Sequence, residues 1–442
     1  MPRHRLPVAL IGDALGISAG KGARAVAGYD EDSTSMGVEA ARRALAGAPP
    51  PPSIHFATSS PAYADKTNAA AIHAALGLPP TGFAVDIAGS IRGATGAWRA
   101  AAAAAGLAVM ADVRTGRPGS GDEAGGADAA AAFLFGDGEG VIAEVLAEES
   151  ATAEFLDRWR TPGESFSRVW EERFGLEVYL PLIREVSARA LAAAGIETPD
   201  HVIVSSPHAR AARTAAAAFE NVAAVSIGYA GTADAGLALV DALERAAPRQ
   251  TILMVLAADG CDATVLRTTA ALPGYRDGRP TLAQQLGQAR EISYPTFLTW
   301  RGMLQREPPR RPEPDRPAAP PSARAEAWKF AFTGSRCDAC TRVHLPPQRV
   351  CAGCGSVDGM SPAPLSDVEA TVATYTIDRL AYSPSPPVID VVLDYDGGGR
   401  FCCQVADADP DEVAIGDRME MTFRRFYTVD GVHNYFWKAR PV

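Results

Sequence analysis

Short apolar runs alternate with alanine-rich runs of helical period through the first 300 residues. The short runs predict strands and the longer, periodic runs predict helices. The predicted strands are VALIGDAL, IHFATSS, FAVDIAG, AAFLFGDG, VIAEVL, HVIVSSP, NVAAVSIG, ILMVLAADG and ATVLRTT. The predicted helices are STSMGVEAARRALAG, NAAAIHAALGL, ATGAWRAAAAAAG, LPLIREVSARALAAAG, ARAARTAAAAF and ADAGLALVDALERA. This alternation predicts a layered α/β fold whose sheets are largely buried.

The two halves of this region repeat one order of elements. In the first half, strand FAVDIAG leads through SIRGATG into helix AWRAAAAAA, and in the second half, strand AAVSIG leads through YAGTADAG into helix LALVDALERA. Each half ends with a strand, a glycine turn and a strand, LFGDGEGVIAEVL and VLAADGCDATVL. Two copies of one α/β unit, related by a pseudo-twofold axis, account for this pattern. We therefore predict a duplicated domain over residues 1–300.

Two segments depart from the alternation. Residues 151–178 contain Trp159, Trp170 and clustered charges, and we predict a helical insertion over the surface. Residues 304–325 contain seven prolines and five arginines, a composition that excludes helix and central strand. We predict a semi-rigid, mainly extended connector over residues 301–327, and a strap lying against the large domain is the alternative.

The region after the connector contains two Cys-x2-Cys pairs separated by ten residues. The four residues are Cys337, Cys340, Cys351 and Cys354. Each pair places two thiolates on a tight turn, and the two turns together can enclose one tetrahedral Zn²⁺. Because a closed four-thiolate shell leaves no open coordination position, we predict a structural zinc in a ribbon over residues 328–360. His344 is interpreted as a surface residue rather than a ligand.

Residues 361–442 contain short β-rich runs separated by glycine turns. The runs are EATVATYTI, PPVIDVVLDY, RFCCQVAD, RMEMTFRRFYTV and NYFWKARPV. About five strands in so short a segment predict a small OB-type β-barrel. Such barrels often bind nucleic acid, but no basic and aromatic groove is evident beyond Arg424, Arg425 and Phe426. We predict no nucleic-acid partner.

Composition and charge narrow the function classes further. The chain is 47% hydrophobic and 21% charged with a net charge of −10, which argues against nucleic acid and anionic lipid as partners. No apolar run approaches the roughly 18 residues that span a bilayer, so we predict no membrane association. The start MPRHRLPVALIG is similar to a signal peptide, but Asp13 interrupts the apolar run and VALIG is interpreted as a buried strand. Since the cysteines have metal spacing rather than disulfide spacing, we expect a cytoplasmic protein.

Five segments of the large domain together resemble the thiolase superfamily, closest to the 3-hydroxy-3-methylglutaryl-CoA synthases and type III ketoacyl synthases. They are DEDSTSMGVEAA (30–41), FAVDIAGSIRGATGA (83–97), FGDGEG (135–140), SPHARAAR (206–213) and IGYAGTADAGLAL (227–239). The C-terminal 115 residues resemble the zinc-ribbon/OB-fold proteins that accompany thiolase-like enzymes, usually as a separate subunit. The resemblance implies a duplicated thiolase-like layered fold, a coenzyme A thioester as substrate, a homodimer, and a partner thiolase or acyl-CoA enzyme.

The residues that would carry thiolase chemistry differ from the family pattern. That pattern implies a nucleophilic cysteine five residues after Asp86, at a helix N-terminus that lowers its pKa, and this chain has Ile91 there. A register shift of one residue gives Ser90, which would need a base beside it. The catalytic glutamate of the synthase branch corresponds to Ser59, and the asparagine of the Gly-Asn-Thr element corresponds to Tyr229. Chemistry through an acyl-enzyme is therefore disfavoured.

The catalytic histidine of the family does have a counterpart, His208 in SPHAR. The resemblance implies that His208 and Tyr229 are catalytic. Each follows a second-half strand and opens a helix, so we predict that both lie in one pocket. Ser90, Arg92 and Gly228 are predicted to bind substrate, and Arg92 has the chemistry to pair a phosphate, a substrate carboxylate or a neighbouring carboxylate.

Aldol-type cleavage or formation of a β-hydroxyacyl-CoA is the reaction that fits such a site, because it never forms an acyl-enzyme. His208 would donate to the thioester carbonyl, and Tyr229 would act as base or hydrogen-bond partner. Two alternatives stay open. One is a hydroxymethylglutaryl-CoA synthase-like acyltransferase that uses Ser90 or Cys261 as nucleophile. The other is a non-catalytic acyl-CoA-binding scaffold for a partner thiolase.

Overall fold

The computed structural model describes residues 1–18, 20–307 and 314–442. The chain divides into two compact units that each draw on the N-terminal sequence. The first unit comprises Met1–Ala27, Arg43–Ala69 and Thr81–Tyr294, and the second comprises Gly28–Arg42, Ala70–Pro80 and Pro295–Val442. The domain boundaries predicted above, at residues 300, 327 and 360, stay predictions.

Strands and helices alternate through the first 300 residues. The strands are β1 (His4–Pro7), β2 (Ala23–Val26), β3 (Ser53–Thr58), β4 (Phe83–Ala88), β5 (Leu107–Asp112), β6 (Ala129–Leu134), β7 (Ala143–Thr152), β8 (Arg158–Trp159), β9 (Arg168–Val169), β10 (His201–Ser205), β11 (Thr251–Leu256), β12 (Gly260–Thr268) and β13 (Arg290–Glu291). The helices are α1 (Val8–Leu15), α2 (Ser33–Leu45), α3 (Ala69–Ala75), α4 (Gly93–Ala104), α5 (Gly121–Gly125), α6 (Glu172–Ala194), α7 (Ala209–Ala216), α8 (Asp234–Arg245), α9 (Leu272–Arg276), α10 (Leu282–Gly287) and α11 (Tyr294–Trp300). A short 3₁₀ helix, Gly231–Ala233, precedes α8.

Two four-stranded sheets of the first unit share one pairing pattern. In the first sheet, of order β4-β3-β5-β6, β3 is parallel to β4 and β5, and β6 is antiparallel to β5. In the second sheet, of order β10-β11-β12-β7, β10 is parallel to β11 and β12 is antiparallel to β11. The trio β10, β11 and β12 thus repeats β3, β5 and β6. This confirms the predicted duplicated α/β fold.

Helices α4 and α8 share one hydrophobic core with strands of both sheets. Buried members on the helices are Ala94, Ala97, Trp98, Ala101, Leu237, Leu239 and Ala242, and buried members on the strands are Ala108, Met110, Ile252 and Leu256. Most of these side chains on α4 are alanine, which lets the helix backbone approach its neighbours closely. The turns that lead into α4 and α8 therefore rest on the same packed core, and these turns carry Ser90, Arg92, Gly228 and Tyr229.

Three segments differ from their sequence predictions. VALIGDAL forms helix α1 rather than a strand, and its buried residues Val8, Ile11 and Gly12 have the i, i+3, i+4 spacing of a helix face. NVAAVSIG pairs with β10 only through the single bridge between Val202 and Val222. LAVMAD, for which we predicted no strand, forms β5, a fully buried strand inside the first sheet.

The two irregular segments also contain different structure from that predicted. Within 151–178, β8 and β9 pair antiparallel, and helix begins only at Glu172. In the predicted connector, the structure contains a helix, α12 (Ala319–Arg324), although we excluded helix there. Its prolines lie in the first turn, where the backbone N–H groups have no intrahelical acceptor, so proline costs little. Residues 308–313 of the connector lie outside the described residues.

The C-terminal part of the second unit consists of two antiparallel sheets after the short helix α13 (Glu326–Lys329). The first sheet has the order β15-β14-β16, from β14 (Thr333–Cys337), β15 (Val343–His344) and β16 (Met360–Pro364). The second has the order β19-β18-β17-β20-β21, from β17 (Ala370–Asp378), β18 (Val388–Tyr395), β19 (Arg400–Gln404), β20 (Arg418–Val429) and β21 (Val432–Pro441). A bridge between Val405 and Ala439 brings its two ends together, and all five predicted strands are confirmed.

Within the described ranges, no helix has both the length and the apolar character needed to cross a bilayer.

Strand β4 forms one edge of the first sheet and exposes an aromatic side chain, since Phe83 is 58% exposed. An unpaired strand edge with apolar side chains favours association. We expect a dimer through β4, which light scattering would detect as a mass of two chains of 46.2 kDa each. Phe83→Glu should shift the protein to monomer, whereas Leu380→Glu, at an exposed leucine of the second unit, should not. A wild-type monomer at micromolar concentration would contradict this expectation.

Candidate functional site

The turn between β4 and α4 contains the residues predicted to replace the nucleophile. Ile91 is 7% exposed and packs into the core shared by α4 and α8. The hydroxyl of Ser90 donates to Oδ2 of Asp259 at 2.9 Å and accepts the backbone N–H of Arg92 at 3.2 Å. Ile91 offers no nucleophilic atom, and the Ser90 hydroxyl donates to a carboxylate rather than to a histidine.

Arg92 is fully engaged within the protein. Its Nε and Nη2 each donate to Asp262 at 2.9 Å, and Nη1 donates to the Thr152 hydroxyl at 3.0 Å and to the Asp259 carbonyl at 2.9 Å. Nη2 also donates to the Ala151 carbonyl at 3.1 Å. The pKa of Arg92 is raised, mainly by its hydrogen bonds to Asp262. Because all five N–H groups are used, binding a substrate anion would require Arg92 to give up one of these bonds.

His208 caps the N-terminus of α7. Its Nδ1 accepts the backbone N–H of Ala211 at 3.0 Å, and its Nε2 lies 2.8 Å from the carbonyl oxygen of Glu172. These two contacts require the neutral tautomer with the proton on Nε2. Both ring nitrogens are therefore occupied, and a substrate would have to displace Glu172 to receive the proton.

Gly228 lets the chain lie against a neighbouring turn. Its φ is +92°, and a Cβ there would lie 2.6 Å from the carbonyl oxygen of Gly126. The next residue donates its backbone N–H to Gly125 at 2.7 Å. A side chain at position 228 would thus be excluded both by the backbone angle and by contact. We conclude that Gly228 positions the residue that follows it, Tyr229.

The hydroxyl oxygen of Tyr229 is buried and has no hydrogen-bond partner among the described residues. The pKa of Tyr229 is raised well above 10, mainly by burial. The charge of Asp234 raises this pKa further, whereas the charges of Arg114 and Arg158 lower it. The phenol therefore stays protonated at neutral pH. Of the two roles predicted for Tyr229, this favours the hydrogen-bond donor over the base.

Two consecutive residues lie near the predicted catalytic residues: Asp157 near His208, and Arg158 near Tyr229. A Cβ at Gly175 would lie 2.9 Å from Nε2 of His208 and 3.0 Å from Oδ2 of Asp157, so these two atoms face one small space. Burial is the largest cause of the raised pKa of Asp157. The charge of Arg158 acts on Tyr229. Sequence reasoning missed Asp157, because the segment that forms the β8–β9 hairpin was predicted as a helical insertion.

Ser59, at the position of the family glutamate, lies in a dense polar cluster at the end of β5. Its hydroxyl and its backbone N–H both donate to Asp112, at 2.8 and 2.6 Å. Arg114 donates to the Ser59 hydroxyl at 3.2 Å, and Arg160 donates to the Ser59 carbonyl. Sequence reasoning missed this cluster because it missed β5, whose carboxyl end carries Asp112 and Arg114.

Cys261 is fully buried on β12. Burial above all raises the pKa of its thiol to about 12. Thiols with raised pKa and no exposure are poor nucleophiles. This weakens the alternative in which Cys261 carries an acyl group.

The four cysteines of the ribbon form one compact cluster. Their Sγ atoms all lie within 4.8 Å of one another, with Cys337 and Cys354 3.7 Å apart and Cys340 and Cys351 3.4 Å apart. Tetrahedral zinc with ordinary Zn–S bonds places sulfur atoms about 3.8 Å apart, so the cluster fits Zn²⁺. Four thiolates fill the tetrahedral shell, as expected for a structural rather than a catalytic ion.

The surroundings of Cys351 favour the thiolate form that binds zinc. The backbone N–H of Cys354 above all, and that of Gly353 as well, lower the pKa of Cys351 to about 5. His344 was expected at the surface, but it is 8% exposed on β15 and its imidazole interacts with Cys351. His344 is not part of the four-cysteine cluster, and a histidine beside a metal ligand can orient that ligand without binding the metal.

Comparisons with known proteins agree with the C-terminal assignment. A family model described as the ChsH2 rubredoxin-like zinc ribbon domain matches residues 330–358, and one described as the ChsH2 C-terminal OB-fold domain matches residues 363–424. A DUF35 domain-containing scaffold protein of Methanothermobacter thermautotrophicus is 27% identical over 118 residues, which are 26% of this chain and 88% of that protein. These matches confirm the predicted zinc ribbon and OB fold.

The large α/β region is similar to hydroxymethylglutaryl-CoA synthases. That of Aeropyrum pernix is 30% identical over 304 residues, covering 64% of this chain and 84% of the relative. That of Archaeoglobus fulgidus is 29% identical over 320 residues, covering 67% and 91%. Among solved structures, an HMG-CoA synthase complexed with CoA matches with a TM-score of 0.57 at 15% identity, over 67% of this chain and 86% of that one. The fold likeness agrees with the thiolase-like architecture predicted above.

Proposed function

Because this chain belongs to the hydroxymethylglutaryl-CoA synthase family and carries a zinc ribbon and OB fold as well, we propose that it acts on acyl-CoA thioesters without forming an acyl-enzyme. The observation that carries the proposal is Ile91, a buried isoleucine at the position where the family resemblance implies the nucleophilic cysteine. Cys261, the only cysteine among residues 1–300, is fully buried, and the pKa of its thiol is raised. Two solved structures that are similar to this chain are complexes with CoA and with 3-hydroxy-3-methylglutaryl-CoA.

The proposed reaction is aldol cleavage of a β-hydroxyacyl-CoA, or its reverse. A base removes the proton of the β-hydroxyl, the C–O bond becomes a carbonyl, and the Cα–Cβ bond breaks. The electron pair of that bond passes to the thioester as an enolate, which is then protonated at Cα. The products are an aldehyde or ketone and a shorter acyl-CoA, so the step needs no co-reactant and no covalent enzyme intermediate.

Two side chains of the site are suited to different parts of this reaction, Tyr229 as hydrogen-bond donor and Asp157 as base. Tyr229 has a buried, protonated hydroxyl without a partner, so it is suited to donate to the oxygen of the enolate. Asp157 is 5% exposed, and its raised pKa makes it a stronger base than an ordinary carboxylate. His208, whose ring nitrogens are both bonded, holds the loop beside Asp157. The donor role that the resemblance implies for His208 stays a prediction.

Tyr229→Phe should lower turnover by about 10²- to 10³-fold, the usual cost of removing one oxyanion donor. The variant should keep its stability, because the lost hydroxyl has no partner in the described structure. Turnover is measured by incubating the protein with a panel of β-hydroxyacyl-CoAs and quantifying the released acyl-CoA by mass spectrometry. Tyr275→Phe, at an exposed tyrosine, is the control. An acyl group trapped on Ser90 or Cys261 would contradict the proposal and favour the acyltransferase alternative.

A second candidate function is that of a scaffold for a partner thiolase. It is favoured by the similarity of the C-terminal region to a protein named as a DUF35 scaffold, and by the occupied ring nitrogens of His208. In that case the protein should form a stable complex with a purified, cysteine-bearing thiolase in size-exclusion chromatography. Its Tyr229→Phe variant should then support the activity of the complex as well as the wild type does.

A further inference from the structure

Two guanidinium groups converge on Ser59 beside the proposed catalytic tyrosine. Nη1 of Arg114 lies 3.2 Å from the Ser59 hydroxyl, and Nη2 of Arg160 donates to the Ser59 carbonyl. Desolvation first, and then the charge of Arg114, lower the pKa of Arg160, so the two groups lie close enough to repel each other. The chain thus places two cations where the family resemblance implies a catalytic glutamate.

Neither arginine is neutralised by an ion pair within the described residues. The charge of a neighbouring carboxylate, Asp112, acts on Arg160, but its oxygens already accept from the hydroxyls of Thr58, Ser59 and Ser60 and from three backbone N–H groups, including that of Thr232. Its lone pairs are therefore saturated by neutral donors. Arg158, unlike Arg114 and Arg160, forms a two-point ion pair with Asp122, with N–O distances of 2.6 and 2.8 Å.

The geometry leaves both guanidinium groups able to bind a further acceptor. Across the described part of the chain, the side chain of each donates one hydrogen bond, and a guanidinium has five N–H groups. Arg160 is exposed and Arg114 is half-buried, so a ligand can reach them. A planar carboxylate is the acceptor that guanidinium geometry matches best.

The position of the pair determines which part of a substrate would reach it. The guanidinium carbon of Arg114 lies 5.9 Å from the centre of the Tyr229 ring, and the hydroxyl of that tyrosine is buried without a partner. If Tyr229 binds the thioester oxygen, the acyl chain attached to that thioester can extend to Arg114. The phosphates of coenzyme A are separated from the thioester by the whole pantetheine arm.

We infer that Arg114 and Arg160 form a subsite for a carboxylate at the far end of the acyl chain, so that this protein selects acyl-CoAs with an anionic acyl group over neutral ones. The inference rests on the proposed function in taking Tyr229 as the thioester contact. It gives the unused N–H groups of both guanidinium groups an acceptor: a substrate carboxylate can bind them, whereas a neutral acyl chain cannot.

Binding of two non-reactive thioesters tests this inference without turnover. Glutaryl-CoA and pentanoyl-CoA have acyl chains of the same length, lack a β-hydroxyl, and differ in the terminal carboxylate. By calorimetry, the wild type should bind glutaryl-CoA roughly 10- to 100-fold more tightly, the usual effect of a charge-assisted hydrogen-bonded pair. Arg160→Met should lose most of this preference and keep the affinity for pentanoyl-CoA.

Arg168→Met is the matched control, because Arg168 lies on the adjacent strand β9, is exposed and pairs with Glu164. It should retain the preference, and thermal denaturation should show both variants folded. Equal binding of the two thioesters by the wild type would overturn the inference but leave the proposed function standing. Equal weakening of both thioesters by Arg160→Met would overturn it in favour of a phosphate of coenzyme A as the ligand. Failure to bind either thioester would contradict the proposed function itself.

Discussion

Cys351→Ser should release about one zinc ion per chain and unfold residues 328–360. The ribbon has only three short strands, β14, β15 and β16, and a segment of this size cannot bury enough apolar surface to fold alone. Structural zinc contributes about 10–16 kcal/mol to the folding of such small domains. A serine hydroxyl is not deprotonated near neutral pH and replaces a thiolate poorly as a zinc ligand.

The loss of zinc is measured by atomic emission on dialysed protein, and the loss of structure by limited proteolysis with mass mapping of the fragments. Cleavage should concentrate in the ribbon. The first unit should stay protected, because none of the four clustered cysteines lies in it. Cys402→Ser is the control, since Cys402 is exposed on β19 and is not part of the cluster. A protease-resistant ribbon in metal-free Cys351→Ser would show that the metal is dispensable.

The elements that the sequence predicted correctly are those in which one strong local signal dominates. The zinc site followed from cysteine spacing alone, and β17, β18 and β20 followed from β-branched and aromatic residues between glycine turns. The strand predicted over VALIGDAL was wrong, because an apolar run of eight residues satisfies both the strand pattern and the helix pattern. Only burial of Val8, Ile11 and Gly12 on one face distinguishes them.

The missed part of the candidate site has a single physical cause. β5 follows α4 after only Ala105 and Gly106, and no element was predicted for LAVMAD after the helix predicted to end at Gly106. Without β5, nothing in the sequence placed Asp112 and Arg114 at the carboxyl end of a central strand, where functional residues of α/β folds gather. His208, Tyr229 and Gly228 could be found because their turns carry the family motifs. The contacts that now define their roles come from Glu172, Asp157 and Gly126, which are distant in sequence.

A second property was also invisible in the sequence, a buried ion-pair network within the second unit. Lys438 and Arg424, on β21 and β20, are each about 1% exposed, and both pair with Asp30, at 2.8 and 3.3 Å. Arg424 also pairs with Glu31 at 3.0 Å and with Asp407. Asp30 lies 394 positions from Arg424 and 408 positions from Lys438, and charge counts along the sequence cannot reveal such pairing.

Asp30→Asn should destabilise the second unit by about 3–5 kcal/mol, the usual cost of leaving a buried charge without its partner. Burial alone lowers the pKa of Lys438, and its interactions with Asp30 and Tyr29 outweigh that effect. Asparagine keeps the size of the side chain but removes the charge, so Lys438 must either lose its proton or remain charged in a dry environment. Chemical denaturation followed by the fluorescence of Trp437, buried in the same unit, reports the free energy of unfolding.

The matched control is Asp394→Asn, which breaks an ion pair of ideal length in the same unit. Asp394 and Arg400 are 2.6 Å apart but 48% and 64% exposed, so the loss should not exceed about 1 kcal/mol. The difference between the two variants then measures burial rather than the presence of an ion pair. Adding Lys438→Met to Asp30→Asn should recover much of the lost stability, because it removes the uncompensated charge and leaves an apolar side chain of similar length. Equal losses for Asp30→Asn and Asp394→Asn would mean that the network is hydrated in solution and that residues 28–42 are not held to β20 and β21 by buried charge.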